Sequence, residues 1–425
     1  MTDRVGSNWA GNYTYCATRW HDPATLDELR RVVAGAGRIR VIGSRHSFND
    51  IADSVELVSL HELPHNVVID RERATVTCSA AITYGALAVV LDDAGLALHN
   101  MASLPHISVG GAVTTATHGS GDANGNLATA VSGIEMVTSS GDVLSASRGD
   151  ADFEGMVVGL GALGALTRLT LDVEPAYLVR QTVYERLSWD AFIANFDAVM
   201  SLGYSVSAFT DWTDDIAQLW VKSRVTADGR DHDPPSRSSS PSSVFGAARA
   251  AGDRHPVPGA SPAACTPQGG VPGSWLDRLP HFRMGFTPSS GDEIQSEFHI
   301  PRADGLAAIA AVRGLGADIA EHLLVSEIRT VAADTLWMSP QYERDSVALH
   351  FTWRPHPAAV RDLLLRIEEV LVPFGARPHW GKVFVAEAPA TALLDPRRDD
   401  FVALAARLDG RGAFRNEWFA RTIVG

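Results

Sequence analysis

Apolar positions along the first part of the chain follow two alternating periods. From Thr25 to Ala36 the run TLDELRRVVAGA places Leu26, Leu29 and Val32 or Val33 on one helical face, and RIRVIGS then reads as a short buried strand. The theme recurs: RATVTCSA predicts a strand, YGALAVVLDDAGL an amphipathic helix closed by Gly95, and GIEMVTSS and GALTRLTLDV two further strands. Residues 1–175 are therefore expected to be mixed α and β, with Pro175 as the boundary. Beyond it YSVSAFTDW, QLWVKSRV, SEFHIP, SEIRTVA and VALHFTW alternate as strands, with helices near 305–315 and 358–372. Residues 176–378 thus predict an antiparallel sheet with covering helices, and the whole an α+β fold of two domains. Between Gly229 and Gly273, DPPSRSSSPSS and HPVPGASPAAC have too little apolar periodicity to pack, which predicts a long, partly mobile excursion. There is no internal repeat.

A length of 425 residues agrees with two domains. With 45% hydrophobic and 20% charged residues the composition is that of a globular protein, and no apolar run approaches the roughly 20 residues that span a bilayer. The start MTDRVGSNWAGNYTY lacks a basic stretch followed by an apolar one, so a soluble cytoplasmic protein is expected. Cys16, Cys78 and Cys265 have no metal-site spacing and are expected to be buried small hydrophobes. A formal charge of -14 opposes nucleic-acid binding and favours a neutral small-molecule substrate.

Candidate chemistry begins at VIGSRHSFND, where a strand ends at Gly43 and a turn presents His46 and Ser47. A glycine free to take positive φ, with Ser44 and Ser47, suits phosphate oxygens, although alone this turn reads more readily as an ordinary polar turn. A second segment, NMASLPHISVGGAVTTATHGSG, carries Gly110, Gly111, Gly119 and Gly121 among hydroxyl residues. Backbone passing close to a large ligand explains that composition best. GLGALG at Gly159 to Gly164 matches a dinucleotide fingerprint literally, but LTRLTLDVEP after it is a strand where the fingerprint demands a helix, which argues against a nicotinamide dehydrogenase. On SEIRTVA, Glu327 and Arg329 share one strand face, as do His350 and Thr352 on ALHFTW; the pattern alone also fits solvent-facing sides of amphipathic strands. RPHWGK adds His379 and Lys382.

Taken together, GSRHSFN, NMASLPHISVGG, THGSG, TLDVEPAY, SEIRTVAAD, HFTW and ARPHWGKVF resemble the alditol oxidase family, over essentially the whole chain. The resemblance implies an FAD domain of the vanillyl-alcohol-oxidase type, completed by residues 379–425, and a substrate-capping domain. It implies FAD bonded through His46, held by Ile42, Gly43, Ser44, Arg45 and Ser47, by Ser103, Ser108, Gly111, Thr115, Thr117, His118 and Gly119, and by Ile134 and His379. Arg45 stands where the family carries glycine. The resemblance further implies polyol binding by Ser103, Glu327, Arg329, Thr352 and Lys382, catalysis by Glu327, Arg329, His350 and Lys382, and no metal. The expected reaction oxidises the primary hydroxyl of xylitol or sorbitol to an aldose with O2 reduced to H2O2, in a monomer without nucleic-acid or membrane partners. An aldonolactone oxidase or dehydrogenase of the same fold is the alternative, followed by a nicotinamide dehydrogenase and then a non-catalytic flavin-binding module.

Overall fold

The computed structural model describes residues 6–226, 241–286, 293–387 and 395–425. The helix read at Thr25 runs over Leu26–Gly35: the Thr25 hydroxyl accepts from the Glu28 backbone, Glu28 reaches back to the Ala24 N–H, and Leu29 and Val33 point inward. It leads into Ile39–Ile42, which pairs in parallel with Glu56–Ser59, itself parallel to Arg19–His21. A separate five-stranded antiparallel sheet follows, ordered Val68–Asp70, Thr75–Ser79, Ala165–Asp172, Val131–Val137, Val143–Ser147. Ala165–Asp172 alternates buried and half-buried positions along its length, so one face enters a core shared with the helix Tyr84–Asp93. GLGALG opens no helix. Leu160 and Gly161 take positive φ, and the chain turns directly into Ala165–Asp172.

The second half is built on a ten-stranded sheet whose central order is Leu178–Ser188, Asp215–Val225, Ser205–Thr210, Leu323–Val331, Ser346–Trp353, Ile294–Pro301, all antiparallel. Ile328, Leu349, Phe351, Phe298 and Ile300 form one face and pack on the helices Gly305–Arg313 and Pro357–Leu371 through Ile309, Val312, Leu364 and Ile367. The opposite face carries Glu327, Arg329, His350, Thr352 and Glu297. These are buried rather than solvent-facing, so the face looks into the protein. Leu178–Ser188 is one of the two longest strands, yet LVRQTVYERLS escaped the sequence reading because Arg180, Gln181 and Thr182 are all buried mid-strand and mask the alternation.

Two expectations need correction. Within 229–273, residues 229–240 lie outside the described residues, but 241–273 packs: Ala247–Arg249 pairs with Leu178–Ser188, and Val244 and Ala247 enter the second core. Polar anchors replace the missing apolar period, with Gln181 donating to the Thr266 carbonyl and Arg254 paired to Glu185 at 2.7 Å. Cys78 and Cys265 are buried as expected, whereas Cys16 is exposed. Among the described residues no helix is long and apolar enough to cross a membrane.

Candidate active site

Strand register composes the polar wall. Phe209, Glu327, His350 and Glu297 lie opposite one another in a single row across four strands. The neighbouring row runs Ser207, Arg329, Ala348, His299. Ala348 is the small member of that row, and past it Arg329 reaches diagonally to Glu297 at 2.6 Å. Lys382 Nζ approaches the other Glu297 oxygen at 2.7 Å, the His118 imidazole lies 3.1 Å from the first, and His350 Nδ1 is 3.5 Å from the second. Glu297 is 1% exposed. Burial pushes its carboxyl upward, but Lys382, Arg329 and His118 prevail and hold it well below the ordinary range, so it is an anion. His350 Nδ1 faces Lys382 Nζ at 2.7 Å, and its Nε2 faces the Thr352 hydroxyl at 3.0 Å. Burial, reinforced by the Lys382 charge, lowers the His350 imidazole to about 4 and keeps it neutral. Burial likewise lowers the Lys382 ammonium, against the pull of Glu297.

Facing this wall is the turn after Ile39–Ile42. The sequence reading assigned positive φ to Gly43, but the left-handed residue is Arg45, at φ +60°. Arg45 is fixed there by the Trp9 N–H, which donates to its carbonyl at 2.8 Å, and its guanidinium lies 5.0 Å from the Trp20 ring centre. A glycine before the histidine, as in the resembling family, takes this conformation freely. Gly43 serves a different need, since a Cβ there would stand 2.4 Å from the Ser108 hydroxyl. The Ser44 hydroxyl accepts from the Ser108 N–H at 3.0 Å and so joins the two small-residue segments. His46 stacks on Trp9 at 5.1 Å, burial lowers it to about 4, and neither ring nitrogen has a hydrogen-bond partner among the described residues. The Ser108 hydroxyl is also buried without one.

The return segment ties turn to wall. The His379 N–H donates to the Glu297 carbonyl at 3.0 Å, the Phe48 N–H to the Gly381 carbonyl at 2.8 Å, and the Asn49 amide to the Trp380 and Lys382 carbonyls at 2.9 and 2.8 Å.

Between them lies a cavity of about 540 Å3, within the range of cofactor and ligand sites. Of the residues expected at a cofactor, Ile42, Gly43, Ser44, Arg45, His46, Ser47, Ser103, Ser108, Gly111, Thr115, Thr117, His118 and His379 line it. Glu327, Arg329, His350, Thr352 and Lys382 line it from the wall. Gly119 and Ile134 do not. The Ile134 side chain belongs to the core of the five-stranded sheet, and Gly119 lies against Asn100, where a Cβ would stand 2.5 Å from the amide oxygen. Sequence reasoning missed Glu297, Trp9, Leu160 and Gly161, the cavity residues Val257 and Ala264 of the packed excursion, and His281. Glu297 was within reach: SEFHIP puts Glu297 and His299 on one face between Phe298 and Ile300, the same pattern as SEIRTVA.

Known proteins match along the whole chain. The family model for the FAD binding domain covers residues 21–147, and that for D-arabinono-1,4-lactone oxidase covers residues 291–422. The chain is 45% identical to the alditol oxidase of a Streptomyces species over 99% of both chains. Identity to the L-gulono-1,4-lactone dehydrogenase of Mycobacterium tuberculosis is 26% over 99% of both, and to bovine L-gulonolactone oxidase 26% over 98% of this chain and 97% of that one. The crystal structure of cholesterol oxidase from B. sterolicum shares the fold with a TM-score of 0.77 over 98% of this chain and 96% of that one, at 15% identity.

Removing the charge of Glu297 strands Arg329 and Lys382 in a buried site. E297Q is expected to lower the unfolding free energy by about 3–5 kcal/mol, read by urea denaturation against wild type. A loss under about 1 kcal/mol means the cations find other partners.

Proposed function

Because the chain belongs to the alditol oxidase family of FAD-linked enzymes, we propose that it oxidises the primary hydroxyl of an alditol such as xylitol or sorbitol to the aldose, with dioxygen reduced to hydrogen peroxide. The observation that carries the substrate class is the buried wall. Glu327 offers only acceptors, Arg329 only donors and the Thr352 hydroxyl both, a combination that suits a neutral chain of hydroxyls.

The two small-residue segments fit FAD, since buried polar atoms without partners, the Ser108 hydroxyl and both His46 nitrogens, lie on the cavity. When bound, FAD supplies the hydride acceptor and returns the electron pair to dioxygen. His46, kept neutral by burial and held flat against Trp9, is the residue that would hold the flavin covalently through a ring nitrogen.

The hydroxyl proton leaves through a relay of two bases. Lys382, held by Glu297, donates toward His350 Nδ1, and the substrate hydroxyl gives its proton to Lys382 as Lys382 passes one to His350. The imidazolium formed lies 3.5 Å from the same carboxylate, so Glu297 stabilises the proton on either base. Thr352 holds the far side of the ring at Nε2.

Five measurements test this reading. Acid precipitation of the purified protein should leave yellow colour in the pellet for wild type and release it for H46A; colour retained by H46A would move the linkage elsewhere. G43A, whose methyl group collides with the Ser108 hydroxyl, should lower the ratio of flavin absorbance to protein. K382M and H350A should each slow anaerobic flavin reduction by xylitol about 10²–10⁴-fold, and the double variant should be no slower than the worse single, because both act on one proton. Since His350 protonates only near pH 4, the wild-type reduction rate should persist below pH 6 and fall as pH drops through about 4. Faster reduction by gulonolactone than by any alditol would favour the lactone oxidases whose family model covers residues 291–422.

A further inference from the structure

Behind Glu327 lies a pair that neither the wall nor the proton relay uses. Lys222 is 1% exposed on Asp215–Val225, and among the described residues no carboxylate forms an ion pair with it. Its Nζ donates to the Leu279 carbonyl and meets His281 Nδ1 at 3.1 Å. On the other side of the ring, His281 Nε2 meets Glu327 Oε1 at 3.0 Å. The edges of Trp220 and Phe209, with ring centres 5.1 and 5.6 Å away, fix the ring plane. A buried lysine without a counter-ion is costly, so its placement calls for a reason.

The hydrogen-bonding chemistry supplies one. An ammonium group has donors only, so His281 Nδ1 must accept and the imidazole proton must sit on Nε2, directed at Glu327. The opposite tautomer would point a lone pair at the carboxylate. We propose that Lys222 and His281 form a positioning pair: the lysine holds His281 through Nδ1 with the imidazole proton on Nε2, and His281 pins one oxygen of Glu327 so that its remaining lone pairs face the substrate hydroxyls. This rests on the reading of Glu327 as a polyol-binding carboxylate.

The titratable and charged groups around the pair are Glu327, Arg329 and the Cys265 thiol. Burial lowers the Lys222 ammonium to about 7. Below that pH the lysine can only donate and the tautomer is fixed. Above it the neutral amine still donates to Nδ1 and the anionic Glu327 still keeps the imidazole proton on Nε2, but the bond from Lys222 is no longer charge-assisted and the hold on His281, and through it on Glu327, weakens.

The test is the KM for xylitol in wild type, K222M, H281Q and E327Q from pH 6 to pH 9, with flavin content and thermal unfolding recorded for each. Wild-type KM should rise by about fivefold across the range, since a charge-assisted hydrogen bond is roughly twice as strong as the neutral one that replaces it. K222M should start high at pH 6 and lose that rise. H281Q should also lose it, because a glutamine amide donates to Glu327 whatever the state of Lys222. A K222M protein with wild-type KM and pH profile, beside an E327Q protein with raised KM, overturns the positioning pair alone. An unchanged KM in E327Q overturns the substrate reading of Glu327 and the pair with it. Should K222M fail to fold, H281Q decides: a wild-type rise of KM with pH in that variant overturns the proposal.

Discussion

Glu297 carries the anionic charge on which the cavity wall is assembled. One buried carboxylate receives Lys382 on one oxygen and Arg329 on the other, with the His118 imidazole beside it, so two cations that would otherwise be costly to bury become parts of one neutralised cluster. The arrangement depends on strand register, because Glu297 and Glu327 stand on either side of His350 in one row and Ala348 leaves the diagonal path for Arg329. A slip of one residue in Ile294–Pro301 would send Glu297 into the apolar core and bring Phe298 to the wall. The helices Gly305–Arg313 and Pro357–Leu371 guard against that slip, since they bury the alternate residues of the same strands.

The same cluster connects the two halves of the site. His379 takes a backbone hydrogen bond to Glu297, and three residues later the segment has supplied Lys382 to its side chain while Gly381 and the carbonyls beside it hold Phe48 and Asn49. His46 and Lys382, which line the cavity from the turn and from the wall, are therefore spaced by a short run of hydrogen-bonded backbone. Chemistry that needs a reacting carbon held between cofactor and base benefits from that rigidity.

Much of this was legible in the residue pattern. Helices at Leu26–Gly35 and Tyr84–Asp93 and strands such as Ala165–Asp172 and Leu323–Val331 declared themselves because each gathers its apolar residues on one face, which writes a clean period into the sequence whether the other face is exposed or, as in Leu323–Val331, buried and polar. Glu327 and Arg329, and His350 and Thr352, could be paired by parity alone. Leu178–Ser188 could not be seen, since its buried middle is polar. The packing of 241–273 was hidden for a related reason: side-chain bonds to backbone carbonyls leave no periodic trace.

The sequence by itself determined which side chains share a strand face, where the small-residue turns fall and which chemistry those groups offer, because these follow from local periodicity and residue type. Tertiary structure alone decided that the polar faces turn inward and that Glu297 is their common counter-ion. It also put the left-handed backbone at Arg45 rather than Gly43 and placed Lys222 behind His281. Each of those outcomes depends on contacts between segments distant in the chain, where register, burial and the charge of a neighbour set a residue's state, and none of these is written in the local pattern.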